Sequence, residues 1–439
     1  MSRTIRLMTL APGHHHAALV QKQMHPEVHR RVYVYAPVGE DLIAHMSRIT
    51  AFNQREADAT SWELDVRAGS NYLERYLREQ PGTAVVIAGR NRTKIDLILA
   101  AVSNAAHVLA DKPWIINADD FDKLVEVQRQ AELRDLLVLD MMTERFEVTT
   151  MLLRDIIGDR DIFGPLQAGT RDQPALTLES AHYLKKQVDG ALLRRPAWWF
   201  DAEEAGVGLA DVGTHLADLS MWLLFPEQSI DYRSDVRVFE ANQWPTPVSR
   251  EQFRELTGLD DYPPLLKNRC VSGDLLLYQG NGSIGLTLRG AHVRLAVSWD
   301  YEAPAGLQDT QEVTAHGMRA QVNVRPITTQ QGGYRPELFV TAKDADDHGA
   351  MFAAVGRRCV AWQARFPGVS AVDLGSQIQI VVPDRFHTDH EQHFAAVFGE
   401  FLRYMRNPRR VPTWENANLL AKYYITTTAA RLARQKQVA

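Results

Sequence analysis

The sequence predicts an α/β protein in which an N-terminal Rossmann doubly wound parallel sheet precedes a C-terminal α/β domain with a large open, mainly antiparallel sheet. Two observations carry that prediction. Between Thr4 and Asp140 short apolar, β-branched runs alternate with amphipathic helical patterns, and strict βαβα order builds a parallel sheet. Beyond Pro226 strand patterns follow one another across glycine-rich turns such as Gln279-Gly280-Asn281-Gly282, as in antiparallel sheets. The expected division is a dinucleotide-binding domain over 1–145 and a substrate-binding and oligomerisation domain over 146–439.

Six strands are read in the first domain: Thr4 to Leu10, Arg31 to Tyr35, Trp62 to Val66, Ala84 to Ala88, His107 to Ala110 and Leu136 to Asp140. The helical stretches between them include Ala17 to Met24, Asp41 to Asn53, Asn71 to Glu79 and Phe121 to Arg134. Ala84 to Ile116 is the most explicit segment. A strand closed by Gly89 precedes a helix that Thr93 is placed to cap, with Ile95, Ile98, Leu99 and Val102 on one stripe. A second strand then ends at Asp111-Lys112-Pro113. Ligands of such sheets bind beyond the carboxyl ends of the strands, which is where Lys112 stands. Pro113 fixes φ and turns the chain sharply there.

The glycine fingerprint after the first strand is reduced. Ala11-Pro12-Gly13-His14-His15-His16 replaces G-x-G-x-x-G, keeping only the glycine that lets backbone approach a pyrophosphate. Tyr35-Ala36-Pro37 stands where an acid normally takes the ribose hydroxyls. His14, His15 and His16 suggest a metal, but consecutive residues at a helix start are expected to point apart. A zinc ion needs ligands that converge, so no metal is expected and phosphate contact by one or two of them is preferred. His387, His390 and His393 are read as a solvated or core helix face.

Composition narrows the function classes. With 49 basic and 54 acidic residues the net charge is −5, so no broad basic surface for nucleic acid is expected. Cys270 and Cys359 are the only cysteines, which fits a reducing compartment and no disulfide framework. Neither a signal-peptide core nor a spanning segment is read, and the expected location is cytoplasmic, without membrane association. An open sheet with one uncovered face favours a homo-oligomer.

His107-Val108-Leu109-Ala110-Asp111-Lys112-Pro113 resembles the V-x-x-E-K-P signature of the Gfo/Idh/MocA family of nicotinamide-dependent oxidoreductases, with Asp111 in the place of Glu. Gly206 to Asp218 is similar to that family's G-G-x-x-x-D-x-G-x-H-x-x-D helix, matched by Gly206, Asp211, Gly213, His215 and Asp218, although Val207 holds the second glycine's place and Gly208 comes one residue late. Met142 to Phe146 resembles the segment joining the domains. Phe163 to Leu166 resembles the start of the second domain's first strand, and Val313 to Pro326 a hairpin turning at Gly317. The two closing helices resemble the family's helical C-terminus.

The resemblance implies NAD or NADP as cofactor and a small-molecule substrate, a sugar or polyol. It places Lys112, Asp211 and His215 at the reaction: Lys112 holds and polarises the substrate oxygen, Asp211 orients substrate, and His215 is the base. Asp211 and His215 are four apart and share a helix face. Gly13, His14, His15, Gly89, Arg90, Asn91, Asp111 and Lys112 form the expected cofactor-contacting set. Glu144, Arg145, His182 and Lys185 are candidate substrate contacts, and Asp218 is read as structural. Redox-assisted glycoside hydrolysis and ligand sensing without catalysis are the alternatives of the same fold.

Overall fold

The computed structural model describes residues 4–188, 191–305, 307–328 and 334–438. The chain forms two compact units. Unit 1 comprises Met1–Thr143, Glu203–Gly206 and Asp389–Asn416, and unit 2 comprises Glu144–Ala202, Val207–Thr388 and Ala417–Ala439. Thr143/Glu144 lies close to the expected cut at 145/146. The contribution of 389–416 to unit 1 has no counterpart in the sequence reading.

Unit 1 runs β1 (Leu7–Leu10), α1 (His16–Leu19), β2 (Arg31–Ala36), α2 (Glu40–Gln54), β3 (Glu63–Ala68), α3 (Tyr72–Glu79), β4 (Ala84–Ile87), α4 (Lys94–Ser103), β5 (His107–Ala110), α5 (Phe121–Leu133) and β6 (Val138–Asp140). The strands are parallel and ordered β3-β2-β1-β4-β5-β6, with the order reversing between β1 and β4. That reversal opens the crevice in which doubly wound sheets bind ligands. β1 and β4 are buried on both faces, which is why they read as uninterrupted apolar runs. Thr93 occupies the N-cap of α4 but makes no side-chain cap bond. The Lys112–Pro113 bond is cis.

The largest departure in unit 1 is α1, expected to reach Met24 and ending at Leu19. The preceding loop turns back onto β4, with the amides of Gly13 and His14 both donating to the carbonyl of Ala88 (3.0 and 3.1 Å).

Unit 2 contains α6 (Val148–Ile157), β7 (Leu176–Lys185), β8 (Gln187–Val188), β9 (Ala191–Leu192), α7 (Ala202–Ala205, shared with unit 1), α8 (Val212–Leu224), β10 (Val236–Val248), α9 (Arg250–Thr257), α10 (Pro264–Arg269), β11 (Val271–Ser272), β12 (Leu275–Leu288), β13 (Ala291–Glu302), β14 (Thr310–His316), β15 (Ala320–Thr328), β16 (Tyr334–Ala342), α11 (His348–Trp362), β17 (Ser370–Asp373) and β18 (Ile378–Val381). Two helices close the chain, α12 (His390–Arg406) and α13 (Thr413–Val438). The large sheet is ten-stranded, with the path β10-β12-β13-β7-β14-β15-β16-β18-β17 and β11 beside β12. β13 and β7 pair in parallel; the other pairs of this sheet are antiparallel. α8 packs on β7 and β13, and its Leu216, Leu219 and Leu223 are buried.

Two expectations in unit 2 are corrected. The glycine-rich stretch 279–282 is no turn, because β12 runs straight through it. A Cβ at Gly280 would collide with the rings of Tyr278 and Trp299, so the glycine is there for close approach. Phe163 to Leu166 does not start the first strand; Leu166 makes an isolated bridge to Gly317, and the first strand is β7. The hairpin of β14 and β15 does turn at Gly317, whose N–H donates to the carbonyl of Ala320.

Candidate active site

In unit 1 the loop after β1 passes so close to its neighbours that a Cβ on Gly13 would stand 3.3 Å from both the Asp41 carboxylate and the Cα of Gly89. A Cβ on Gly89 would in turn collide with the carbonyl of Ala11. The two glycines therefore let the β1 and β4 loops meet at the sheet's reversal. Asp41, in the first turn of α2, was not among the expected residues. The sequence reading looked for an acid at the end of β2, and Asp41 comes from the helix after it. Arg90 reaches Asp41 (3.4 Å) while remaining about half exposed.

Asn91 is an internal strut: its side chain donates to the carbonyl of Ala205 (2.6 Å) and accepts from the buried ammonium of Lys94 (2.6 Å). Lys94 also donates to the carbonyl of Asp111 (2.9 Å). Asp111 is buried. Its Oδ2 lies 3.0 Å from Nδ1 of His16 and 3.5 Å from Nδ1 of His14, while Oδ1 has no hydrogen-bond partner. Burial pushes the Asp111 carboxyl above its usual range, against the pull of Lys94 and Lys112. Burial, then the charges of His16, His15, Lys112 and Lys94, push His14 well below its usual pKa, so His14 is neutral at physiological pH.

The three imidazoles do not diverge as expected. Their ring centroids are 4.0–4.4 Å apart, and one nitrogen from each lies within 4.8 Å of the others. The reason is that His14 and His15 precede α1 and only His16 is helical, so the angular spacing of a helix does not apply.

In unit 2 the sequence-predicted pair sits at the start of α8, with Asp211 at the N-cap and His215 one turn on. The loop before it docks on β12. The Gly208 amide donates to the carbonyl of Gln279 (2.9 Å), and a Cβ on Gly208 would collide with the carbonyl of Gly280. The displaced glycine of the motif is thus the residue that touches the sheet.

Arg195 is buried beside this helix start. It donates to the carbonyls of Leu184 and Tyr183 (3.1 and 3.3 Å) and lies over the rings of Trp199 and Trp299 (4.3 and 5.3 Å). Burial lowers its pKa, and Tyr278, Asp309 and Asp211 oppose that shift. Tyr278 stacks on Trp199 at 4.6 Å, and burial followed by the Asp211 charge pushes its phenol well up.

His182, on β7, is gripped on both sides. Its Nε2 is 2.7 Å from Oγ of Ser180, its Nδ1 is 3.1 Å from Oδ2 of Asp309, and its ring stacks on Trp299 at 4.7 Å. Lys186 donates to the same Asp309 oxygen (2.7 Å). Although burial works to raise the Asp309 carboxyl, the hydrogen bond and charge of His182 and those of Lys186 hold it well below the usual range.

Two expected substrate contacts are placed elsewhere. Lys185 is one residue out of phase on the strand, and successive side chains alternate faces. It is held between Glu255 and Glu302, both at 3.0 Å, and Lys186 is the lysine that reaches Asp309 beside His182. Arg145 binds Asp218 bidentately, at 2.6 Å for each bond, and Lys422 reaches the same carboxylate at 3.3 Å. Asp218 is structural as expected, and Arg145 is its partner. Glu144 lies half-buried at the first position of unit 2.

The fold is that of the Gfo/Idh/MocA oxidoreductases. Residues 152–434 match the family described as "Putative oxidoreductase C terminal domain", and the chain belongs to it. A crystal structure of a "putative oxidoreductase" from Parabacteroides merdae ATCC 43184 is similar over 99% of this chain and 98% of that one, with 39% identity and a TM-score of 0.94. KijD10, a 3-ketoreductase from Actinomadura kijaniata solved with NADP and TDP-benzene, shares the fold at 14% identity, with 98% of each chain covered and a TM-score of 0.54. An uncharacterized oxidoreductase, sll0816, of Synechocystis sp. (strain ATCC 27184 / PCC 6803 / Kazusa) is 23% identical over 203 residues, 45% of this chain. The match spans about half, 48%, of that curated relative's length.

Proposed function

We propose that the protein transfers a hydride between a nicotinamide cofactor and a carbinol carbon of a sugar or sugar-like polyol. The observation that carries this reading is the gathering, in unit 2, of Asp211 and His215 at one helix start with a second histidine, His182, fixed by Asp309. Proton-handling groups of this kind are what carbinol oxidation needs, because hydride departs only as the hydroxyl proton is removed. The flat rings of Trp199, Tyr278 and Trp299 suit the apolar faces of a sugar ring. Solved relatives of the fold that hold NADP, such as KijD10, support a nicotinamide cofactor.

The residues of unit 1 fit such a cofactor. Gly13, whose missing side chain lets the β1 loop close on Gly89, stands at the reversal of strand order, where a pyrophosphate approaches backbone. Asp41 would accept the ribose hydroxyls, and its negative charge disfavours a 2′-phosphate, so NAD is preferred over NADP. Arg90 steadies Asp41, and Lys112 stands at the carboxyl end of β5. The cofactor, when bound, supplies the hydride acceptor.

The chain's own residues do the rest. The Lys112 ammonium holds and polarises the substrate oxygen, Asp211 accepts a neighbouring substrate hydroxyl, and His215 removes the reacting hydroxyl's proton. Cys270 and Cys359 are not joined in a disulfide, and no helix among the described residues is long and apolar enough to cross a membrane. A cytoplasmic location and a homo-oligomeric working form belong to the same proposal, the latter because an open sheet face is commonly buried against a second copy.

The test is a panel of sugars and polyols read at the nicotinamide absorbance band, with His215→Asn beside the parent. Asn keeps polarity and approximate size but cannot take a proton. The variant is expected to bind cofactor and to lose turnover by roughly 10²–10⁴, together with the acidic limb of the rate profile. A variant that keeps both removes His215 as the base. Absence of turnover by the parent across the panel favours the sensing alternative.

A further inference from the structure

The histidine triplet does more than the hydride-transfer reading requires. His14, His15 and His16 pack their rings tilted or edge-on, with centroids 4.0–4.4 Å apart, and a nitrogen from each falls within one 4.8 Å cluster. Beside them lies a buried carboxylate, Asp111, that touches His16 Nδ1 at 3.0 Å and leaves its own Oδ1 without a hydrogen-bond partner. Aromatic packing alone does not call for three consecutive imidazoles. Nor does it call for a carboxylate below them in a place that makes its burial costly.

Metal sites do call for this arrangement. A zinc-class ion takes imidazole nitrogens at about 2.0–2.1 Å, which sets neighbouring ligand nitrogens roughly 3.4 Å apart in a tetrahedron. The nitrogens of the present cluster, all within 4.8 Å of one another, would have to close to that spacing around the ion. A histidine ligand commonly gives its other ring nitrogen to a carboxylate, which fixes the tautomer and raises the ligand's basicity. The contact from His16 Nδ1 to Asp111 has that form and leaves Nε2 as the nitrogen His16 would offer a metal. Three protein ligands leave a position for water or a bound anion.

We propose that His14, His15 and His16 bind one divalent transition-metal ion of the zinc class, with Asp111 orienting His16. The site lies wholly within unit 1 and does not depend on the proposed reaction, since it is read with the metal alone. Binding displaces no redox partner: the ion enters as a Lewis acid and leaves unchanged.

The experiment uses the full chain without an affinity tag, stripped by a chelator and titrated with Co²⁺. The readouts are visible ligand-field bands and metal content per chain after gel filtration. The expected result is one equivalent with the intense bands of a four-coordinate site, displaced by Zn²⁺. Affinity should be lost in His14→Gln/His15→Gln and weakened roughly 10–100-fold in Asp111→Asn. His387→Gln should bind as the parent does.

Because triplet variants risk misfolding, the parent is also treated with a histidine acylating reagent and mapped by peptide. Zn²⁺ is expected to protect positions 14–16. Absence of bands, bands that survive in the double variant, or a triplet that Zn²⁺ does not protect each overturn the proposal. So does protection of 14–16 by inorganic pyrophosphate but not by Zn²⁺.

Discussion

The crevice of unit 1 and the sheet face of unit 2 are built in opposite ways. The crevice is backbone architecture. Gly13 and Gly89 are chosen for what they lack, and their loops meet because no Cβ intervenes. The face of unit 2 is side-chain architecture, in which His182 is fixed by Asp309 across 127 residues of sequence and stacked on Trp299 from the next strand. A backbone site tolerates substitution of the groups around it and fails when a glycine is filled. A side-chain site behaves the other way round, failing atom by atom as individual groups are removed.

The largest expected effect sharpens this contrast where a single side chain is the whole contribution. Lys112→Met keeps the stem's bulk and removes the ammonium. Turnover should fall by roughly 10²–10⁴ with cofactor affinity little changed. Normal turnover on the true substrate would strip Lys112 of a catalytic part.

Next in size is a stability effect inside unit 1. His45 is buried on α2 with neither ring nitrogen hydrogen-bonded, and burial, helped by Arg48, pushes its pKa down to about 4. The unfolded chain, with its histidine near 6.5, therefore binds the proton first. The contribution is complete above about pH 6.5 and is lost as pH falls toward 4, amounting to roughly 3 kcal/mol in all. His45→Leu should flatten the urea midpoint between those pH values. A midpoint that drops as steeply in the variant would assign the acid sensitivity to other groups.

The smallest effect falls on the positioning of His182. Asp309→Asn keeps the shape but removes the charge that Lys186 and His182 share. A roughly tenfold fall in kcat with KM almost unchanged is expected. If KM rises instead while kcat holds, Asp309 shapes the pocket and does not orient the histidine.

The same contrast explains what the sequence revealed. The central strands β1 and β4 were legible because parallel strands buried on both faces read as unbroken apolar runs, and Asp211 and His215 were legible because a helical turn brings i and i+4 together. The brevity of α1 was not, since the amides of Gln21 and Lys22 close tight turns onto the carbonyls of Ala18 and Leu19 in place of a continued helix. Gly280 looked like a turn because the sequence does not show the Tyr278 and Trp299 rings that press on it. Arg195, Tyr278, Trp299 and Asp309 were missed for a different reason: long-range packing, which no local pattern encodes, sets Trp299 and Asp309 against His182 and brings Arg195 and Tyr278 within the field of Asp211. Register also separates Lys185 from Lys186, two adjacent lysines with opposite surroundings.

The central claim is that unit 1 holds a nicotinamide dinucleotide at Gly13, and calorimetric titration of the parent and Gly13→Val with NAD and NADP tests it most directly. The account predicts saturable binding by the parent with NAD tighter than NADP, and a large loss of affinity in the variant with its folding transition preserved. No binding of either nucleotide by the parent, or equal affinity in the variant, would contradict it.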